Sequence, residues 1–187
     1  MATVERKTVL IDTNVIIFAM KPQPKEDPVS EKDRHEYAQI RNALAFLDQC
    51  EKARDIVVIS SISVGELLEG LEEEKFGEAL AIMENAFKIL PFGTGEATLA
   101  ASLARRTRAN EKNSGAKGEG EKTKLNNDRY ILATGIQAGC TDFYTTDKEL
   151  LKQAAKLEIP MQIHPLPDAP PEQLDLPYDD IASNRQG

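Results

Sequence analysis

TVLIDTNVIIF, residues 8–18, is an apolar run broken by one polar triplet, Asp12-Thr13-Asn14. Thr8 to Ile11 are mostly β-branched, as in a strand covered on both faces within a parallel sheet. The triplet then falls at the carboxyl end of that strand, where a helix can start. An ionised carboxylate set among so many apolar side chains is costly to bury without a partner. Asp12 therefore reads as a functional residue, and the rest of the chain is read outward from it.

Downstream, KPQPKEDPVS (21–30) holds three prolines and excludes regular helix or central strand. The segment 21–35 is read as an exposed insertion, although helical spacing resumes near Lys32. Tyr37, Ile40, Leu44 and Leu47 then form an apolar stripe at steps of three and four, predicting a helix to about Ala53. Asp55 to Ile59 is a second buried strand. Ser60, Ser61 and Ser63 offer caps for a helix carrying Val64, Leu67, Leu68 and Leu71. A helix over Phe76–Phe87, a short strand Lys88–Leu90 and a helix from Thr94 to about Arg108 follow. Residues 110–124, with three glycines and no large apolar side chain, are read as a mobile basic loop. Asn126 or Asn127 would cap the next helix, which stops at Gly139. Phe143 to Thr146 reads as a strand ending at Asp147. Leu150, Leu151, Ala154 and Leu157 make a helical stripe, and Pro160 to Ile163 a last edge strand. From Pro165 onward five prolines and five acids predict an extended tail. Strands alternate with helices, so the predicted fold class is α/β: three layers, with a central, mainly parallel sheet flanked by helices. One domain over residues 1–164 and a proline-rich acidic tail over 165–187 are expected.

Composition narrows the function. The 187 residues include 23 Lys and Arg against 31 Asp and Glu, a net charge of −8, with 41% hydrophobic and 29% charged residues. Two cysteines, Cys50 and Cys140, cannot make a disulfide scaffold or a four-cysteine zinc site. Two histidines, His35 and His164, do not suit a histidine-rich metal centre. No apolar run reaches the ~18 residues of a membrane span. The opening MATVERKTVL carries charges where a signal peptide is apolar. A cytoplasmic protein is expected.

Four carboxylates stand where such a sheet gathers its functional groups, at the carboxyl ends of strands. Asp12 and Asp147 each follow a strand. Glu66 lies in the first turns of the helix after the second strand, and Asp128 at the expected start of the helix leading to the Asp147 strand. Clustered carboxylates repel one another, and a hard divalent cation relieves that repulsion. Oxygen ligands suit Mg²⁺ or Mn²⁺. Such ions activate water and polarise phosphoryl oxygens, so phosphodiester hydrolysis is the implied chemistry. Three of the four also have a plain structural reading, and Asp12 is the hardest to explain that way. Asp128 and Asp147 suit helix caps, and Glu66, amid Glu69, Glu72, Glu73 and Glu74, suits a solvated face.

The motifs, taken in order, resemble the PIN-domain ribonucleases, in particular toxins of the VapC type. VLIDTNVIIF is similar to that family's first strand with its Asp-Thr-Asn signature. ISSISVGELLEG (59–70) is similar to the second motif, and NDRYILATGIQAG (127–139) to the third, through Asp128, Ile131, Ala133 and Thr134. FYTTDKEL (143–150) resembles the last strand with its Thr-x-Asp motif. The resemblance implies a Mg²⁺- or Mn²⁺-dependent endoribonuclease with Asp12, Glu66, Asp128 and Asp147 as acidic ligands. Asn14 and Thr145 would orient ligands and water. It also implies an antitoxin protein and a homodimer as partners. The 21–35 segment and the 165–187 tail depart from the family pattern.

RNA binding by an acidic chain needs a local source of positive charge. Residues 105–124 hold seven Lys and Arg against three Glu, a net +4 leading directly into Asp128. This is a candidate phosphate clamp, or else a solvated loop. Aromatic residues are 5% of the chain, so little base stacking is expected, and Tyr130 reads as packing. Two other classes compete. An aspartyl-phosphate phosphatase needs a second acid two residues after its nucleophile, where Asn14 stands. A signalling receiver needs its Asp after a middle strand, where Ser60 stands. The remaining alternative is a catalytically inactive PIN-like module that binds RNA or protein.

Overall fold

The computed structural model describes residues 6–22, 30–110, 119–154 and 159–170. Their elements, in chain order, are β1 (Thr8–Ile11), α1 (Thr13–Met20), α2 (Glu31–Ala53), β2 (Ile56–Ser60), α3 (Ser61–Glu69), a 3-10 turn (Glu73–Lys75), α4 (Phe76–Ala86), β3 (Lys88–Leu90), α5 (Thr94–Asn110), α6 (Glu119–Gln137), β4 (Asp142–Thr145), α7 (Lys148–Ala154) and β5 (Gln162–Pro165). The strands form one sheet in the order β3-β2-β1-β4-β5. Every pairing is parallel, so β1 is central, with Leu10 opposite Val58 on one side and Phe143 on the other.

Successive side chains of a strand point to opposite faces, and here the two faces feed two separate cores. Val9, Ile11 and Ile59 pack with Val15, Ile16, Ala43, Phe46, Leu67 and Met83 beneath α1 to α4. Leu10, Val58 and Phe143 pack with Leu103, Ile131, Leu132 and Leu150 beneath α5 to α7. Cys50 belongs to the first core and Cys140 to the second. Burial pushes each thiol up to about 11, leaving both as inert apolar filling. The second core is tight at one point. A Cβ on Gly135 of α6 would stand 2.6 Å from Leu10 Cδ2, so a glycine lets the helix close onto β1. Among the described residues no helix is long and apolar enough to cross a membrane.

The three-layer expectation holds, and the sheet is wholly parallel. Helix α6 differs from the reading. It begins at Glu119, so Asn126 and Asn127 lie inside it and Asp128 stands in mid-helix, not at a cap. The loop expected over 110–124 is overturned at both ends. Asn110 closes α5 and 119–124 are helical, while 111–118 lie outside the described residues. Extending a helix already anchored by packing costs little, and Glu and Lys are good helix formers. Apolar periodicity is blind to such an extension, because residues 119–124 carry no apolar stripe.

Two boundaries also shift. Residues 31–35, read as part of the insertion, form the first turn of α2, which Ser30 and Asp33 close with a capping box. Residues 23–29 lie outside the described residues. Pro165, read as the first tail residue, ends β5 beside Thr145. Leu166 then enters the first core, and buried Asn42 of α2 donates to Asp168 (3.1 Å) and accepts from the Ala169 amide (2.8 Å). The remainder of the tail, 171–187, is outside the described residues.

Candidate active site

Asp12 caps α1 directly after β1, the central strand. Its Oδ1 accepts from the Thr13 amide at 2.8 Å, and its Oδ2 accepts from the Thr145 hydroxyl at 2.6 Å. Thr145 ends β4, the neighbouring strand, and its hydroxyl oxygen also accepts from the Asp147 amide at 2.9 Å. Asp147 in turn caps α7, its Oδ1 accepting from the amides of Glu149 and Leu150 at 2.8 and 3.1 Å. The capping reading of Asp147 is thus correct, and the cap holds that side chain at the same sheet edge as Asp12.

On the other side of β1, α3 leaves the end of β2 under the cap of Ser60. Glu66 sits on its second turn, half-buried, with both carboxylate oxygens engaged. Oε2 accepts from the Thr13 hydroxyl at 2.5 Å and Oε1 from the Asn127 side-chain amide at 2.8 Å. The solvated-face reading of Glu66 does not survive these bonds. Asn127 comes from α6, where the Thr134 hydroxyl meets Ser60 Oγ at 3.1 Å and ties the helix to the end of β2. Asn127 stands seven residues earlier, roughly 10 Å along the helix axis.

A hydrogen-bonded chain therefore runs Asn127–Glu66–Thr13–Asp12–Thr145–Asp147 across three strand ends. Of the residues expected at the site, it links Asp12, Glu66, Thr145 and Asp147. Asn14 stands half-buried in the first turn of α1, and Asp128 half-buried beside Asn127. Neither is joined to the chain by these bonds. Thr13 and Asn127 are the members that sequence reading missed. Thr13 was in view inside the Asp12-Thr13-Asn14 triplet, but nothing in its spacing points at Glu66. Tyr130 packs on Phe92, ring centroids 5.0 Å apart, as expected.

Asp12 is 5% exposed, and its pKa is raised to about 6. Burial is the main cause. The bonds from Thr145 and Thr13 pull the value down, while the charges of Glu66 and Asp147 push it up again. An oxygen-only, hard donor set under mutual repulsion fits a divalent cation chemically. Yet among the described residues no three or more carboxylates, thiols or imidazoles stand close enough to form a ready-made ion cage.

A model of the PIN domain matches residues 9–157. The fold is similar to that of a chain in the VapBC2 complex of Rickettsia felis bound to a promoter DNA fragment. That likeness has 19% identity over 84% of this chain and 98% of that one, with a TM-score of 0.52. It is similar too to a chain of VapBC-1 from nontypeable Haemophilus influenzae, at 16% identity over 85% and 98% of the two chains, TM-score 0.54. No match is found among curated protein sequences. With the family match spanning most of the molecule and the same parallel sheet placing its acids at one edge, the chain belongs to the PIN domain family.

Proposed function

We propose that the chain is a metal-dependent endoribonuclease that hydrolyses RNA phosphodiester bonds in the cytoplasm, as the toxin of a toxin–antitoxin pair. A contrast between two buried aspartates carries this reading. Asp142, at the amino end of β4, is matched by Lys7 (3.4 Å), His164 (2.9 Å) and the Thr141 hydroxyl (2.6 Å). Burial pushes its pKa up, but these partners bring it below the ordinary carboxylate value. Asp12, at the opposite edge, takes its hydrogen bonds from neutral donors, the Thr13 amide and the Thr145 hydroxyl, and the charges of Glu66 and Asp147 push its pKa further up. One aspartate is neutralised by the fold, and the other is left for an ion from solution.

Asp12, Glu66, Asp128 and Asp147 would hold Mg²⁺ or Mn²⁺, directly or through water. When bound, the ion supplies polarisation of a phosphoryl oxygen and a lowered pKa of its water. The protein's own groups do the rest. Thr13 and Thr145 fix both oxygens of Asp12, and Asn14 and Thr145 orient ligands and water. Helix α5 packs on α6 with its start near the end of α6, where a Cβ on Gly95 would meet Gln137 Nε2 at 3.4 Å, as in an antiparallel pair. Counting ten residues along each helix from that contact puts Arg105 about level with Asn127, roughly 15 Å along the axis. Exposed Arg105 and Arg106, on the helix that packs against α6, would offer charge to an RNA backbone. The fold shared with chains of VapBC complexes supports an antitoxin protein as partner, and a homodimer is proposed beside it.

The test is cleavage of RNA by the purified protein with Mg²⁺ or Mn²⁺. Asp12→Ala and Asp147→Ala are expected to lower the rate by ~10²-fold or more. Cleavage by Asp12→Ala at the wild-type rate overturns the nuclease reading. Equal slowing of growth by expressed wild type and Asp12→Ala overturns the toxin role. The lack of a ready-made ion cage among the described residues favours one second reading, a PIN-like module that binds RNA or protein without cutting it. RNA binding with no cleavage in either metal is its signature.

A further inference from the structure

We propose that Thr13 and Asn127 are positioning residues that set Glu66 at a fixed place beside Asp12, ready for a divalent cation; this rests on the metal-dependent reading of the site. Thr13 uses two groups in two directions. Its backbone amide holds Asp12 Oδ1 at 2.8 Å, and its hydroxyl donates to Glu66 Oε2 at 2.5 Å. One buried residue thereby spaces two carboxylates that would otherwise repel each other apart. Asn127 closes the arrangement from α6 by donating to Glu66 Oε1 at 2.8 Å. Both donors are neutral, so they orient the carboxylate without cancelling its charge. Each engaged oxygen keeps a second lone pair for a cation or its water.

The geometry makes the residue choice specific. A serine at position 13 keeps the hydroxyl, while a valine keeps the shape and loses the donor. Partners that orient metal-binding groups typically matter ~10- to 100-fold in metal affinity. Mn²⁺ binding by calorimetry on the full chain, with no RNA present, reads the effect separately from turnover. Thr13→Val and Asn127→Ala are expected to weaken Mn²⁺ binding by ~10-fold or more. Thr13→Ser should stay within about twofold of wild type, on the same scale. Unfolding transitions in EDTA report whether each variant is folded, and Asn127→Ala, at a half-buried position, keeps the test open if Thr13→Val is not. Wild-type Mn²⁺ affinity in a folded Thr13→Val or Asn127→Ala overturns the inference, as does absence of Mn²⁺ binding by the wild type. Wild type that binds Mn²⁺ with this variant pattern but leaves RNA intact supports the positioning role while overturning the nuclease reading.

Discussion

Asp12 carries its charge at a cost to the folded state, and the sign of that cost is measurable. Its folded pKa, about 6, lies above the ordinary 3.8. Between those values the folded protein holds a proton that the unfolded chain has released, so stability falls as pH rises through this window. The full loss is on the order of 3 kcal/mol, reached above pH 6. In EDTA, Asp12→Asn is therefore expected to unfold at a temperature similar to wild type near pH 4 and a higher one at pH 7. Thermal melts across that range check it. Adding Mn²⁺ should stabilise wild type and leave Asp12→Asn little changed. That Asp12 is a candidate functional acid was legible from its apolar neighbours alone. Its hold on Glu66 through Thr13 was not, because residues 53 positions apart meet only once β1 and β2 are paired.

Among the elements, α6 supplies Asn127 to the site and was read least well. Its apolar half, Ile131 to Ile136, was visible as a stripe, and its end at Gly139 (φ 72°) was visible from a residue suited to the left-handed region. Its start was not, so Asp128 was placed at a cap that does not exist. The close approach of Gly135 to Leu10 locks the helix against β1 and so sets where Asn127 falls. Gly135→Ala would overpack this contact at about 1–3 kcal/mol, against roughly 1 kcal/mol returned by helix propensity. A net loss of about 1 kcal/mol is expected in urea melts, and Leu10→Val in the same chain should recover part of it.

At the scale of the molecule, two cores on opposite faces clamp one sheet, and the chain end contributes to the first of them. Leu166→Ala removes a buried side chain, which should cost about 2–4 kcal/mol. Asn42→Ala leaves the Ala169 amide without its partner and should cost about 1–2 kcal/mol. Both act on the strap over 166–170, so their effects in denaturant melts should fall short of additive. Amide exchange at Ala169 should quicken in each variant. The strap was hidden in the sequence by its prolines, which mark an extended chain but cannot say whether it is packed.

The order of strands and helices, the burial of the first strand and the four candidate acids follow from local sequence, while the central place of that strand comes from its pairing. Periodicity, β-branching, prolines and caps act over a few residues, and each leaves its mark in the order of the side chains. The all-parallel register, the true start of α6, the strap on Asn42 and the Thr13–Glu66–Asn127 contact were decided only in three dimensions. These depend on which distant surfaces meet, and a hydroxyl or amide carries no sign of its partner until packing brings the two within hydrogen-bond reach.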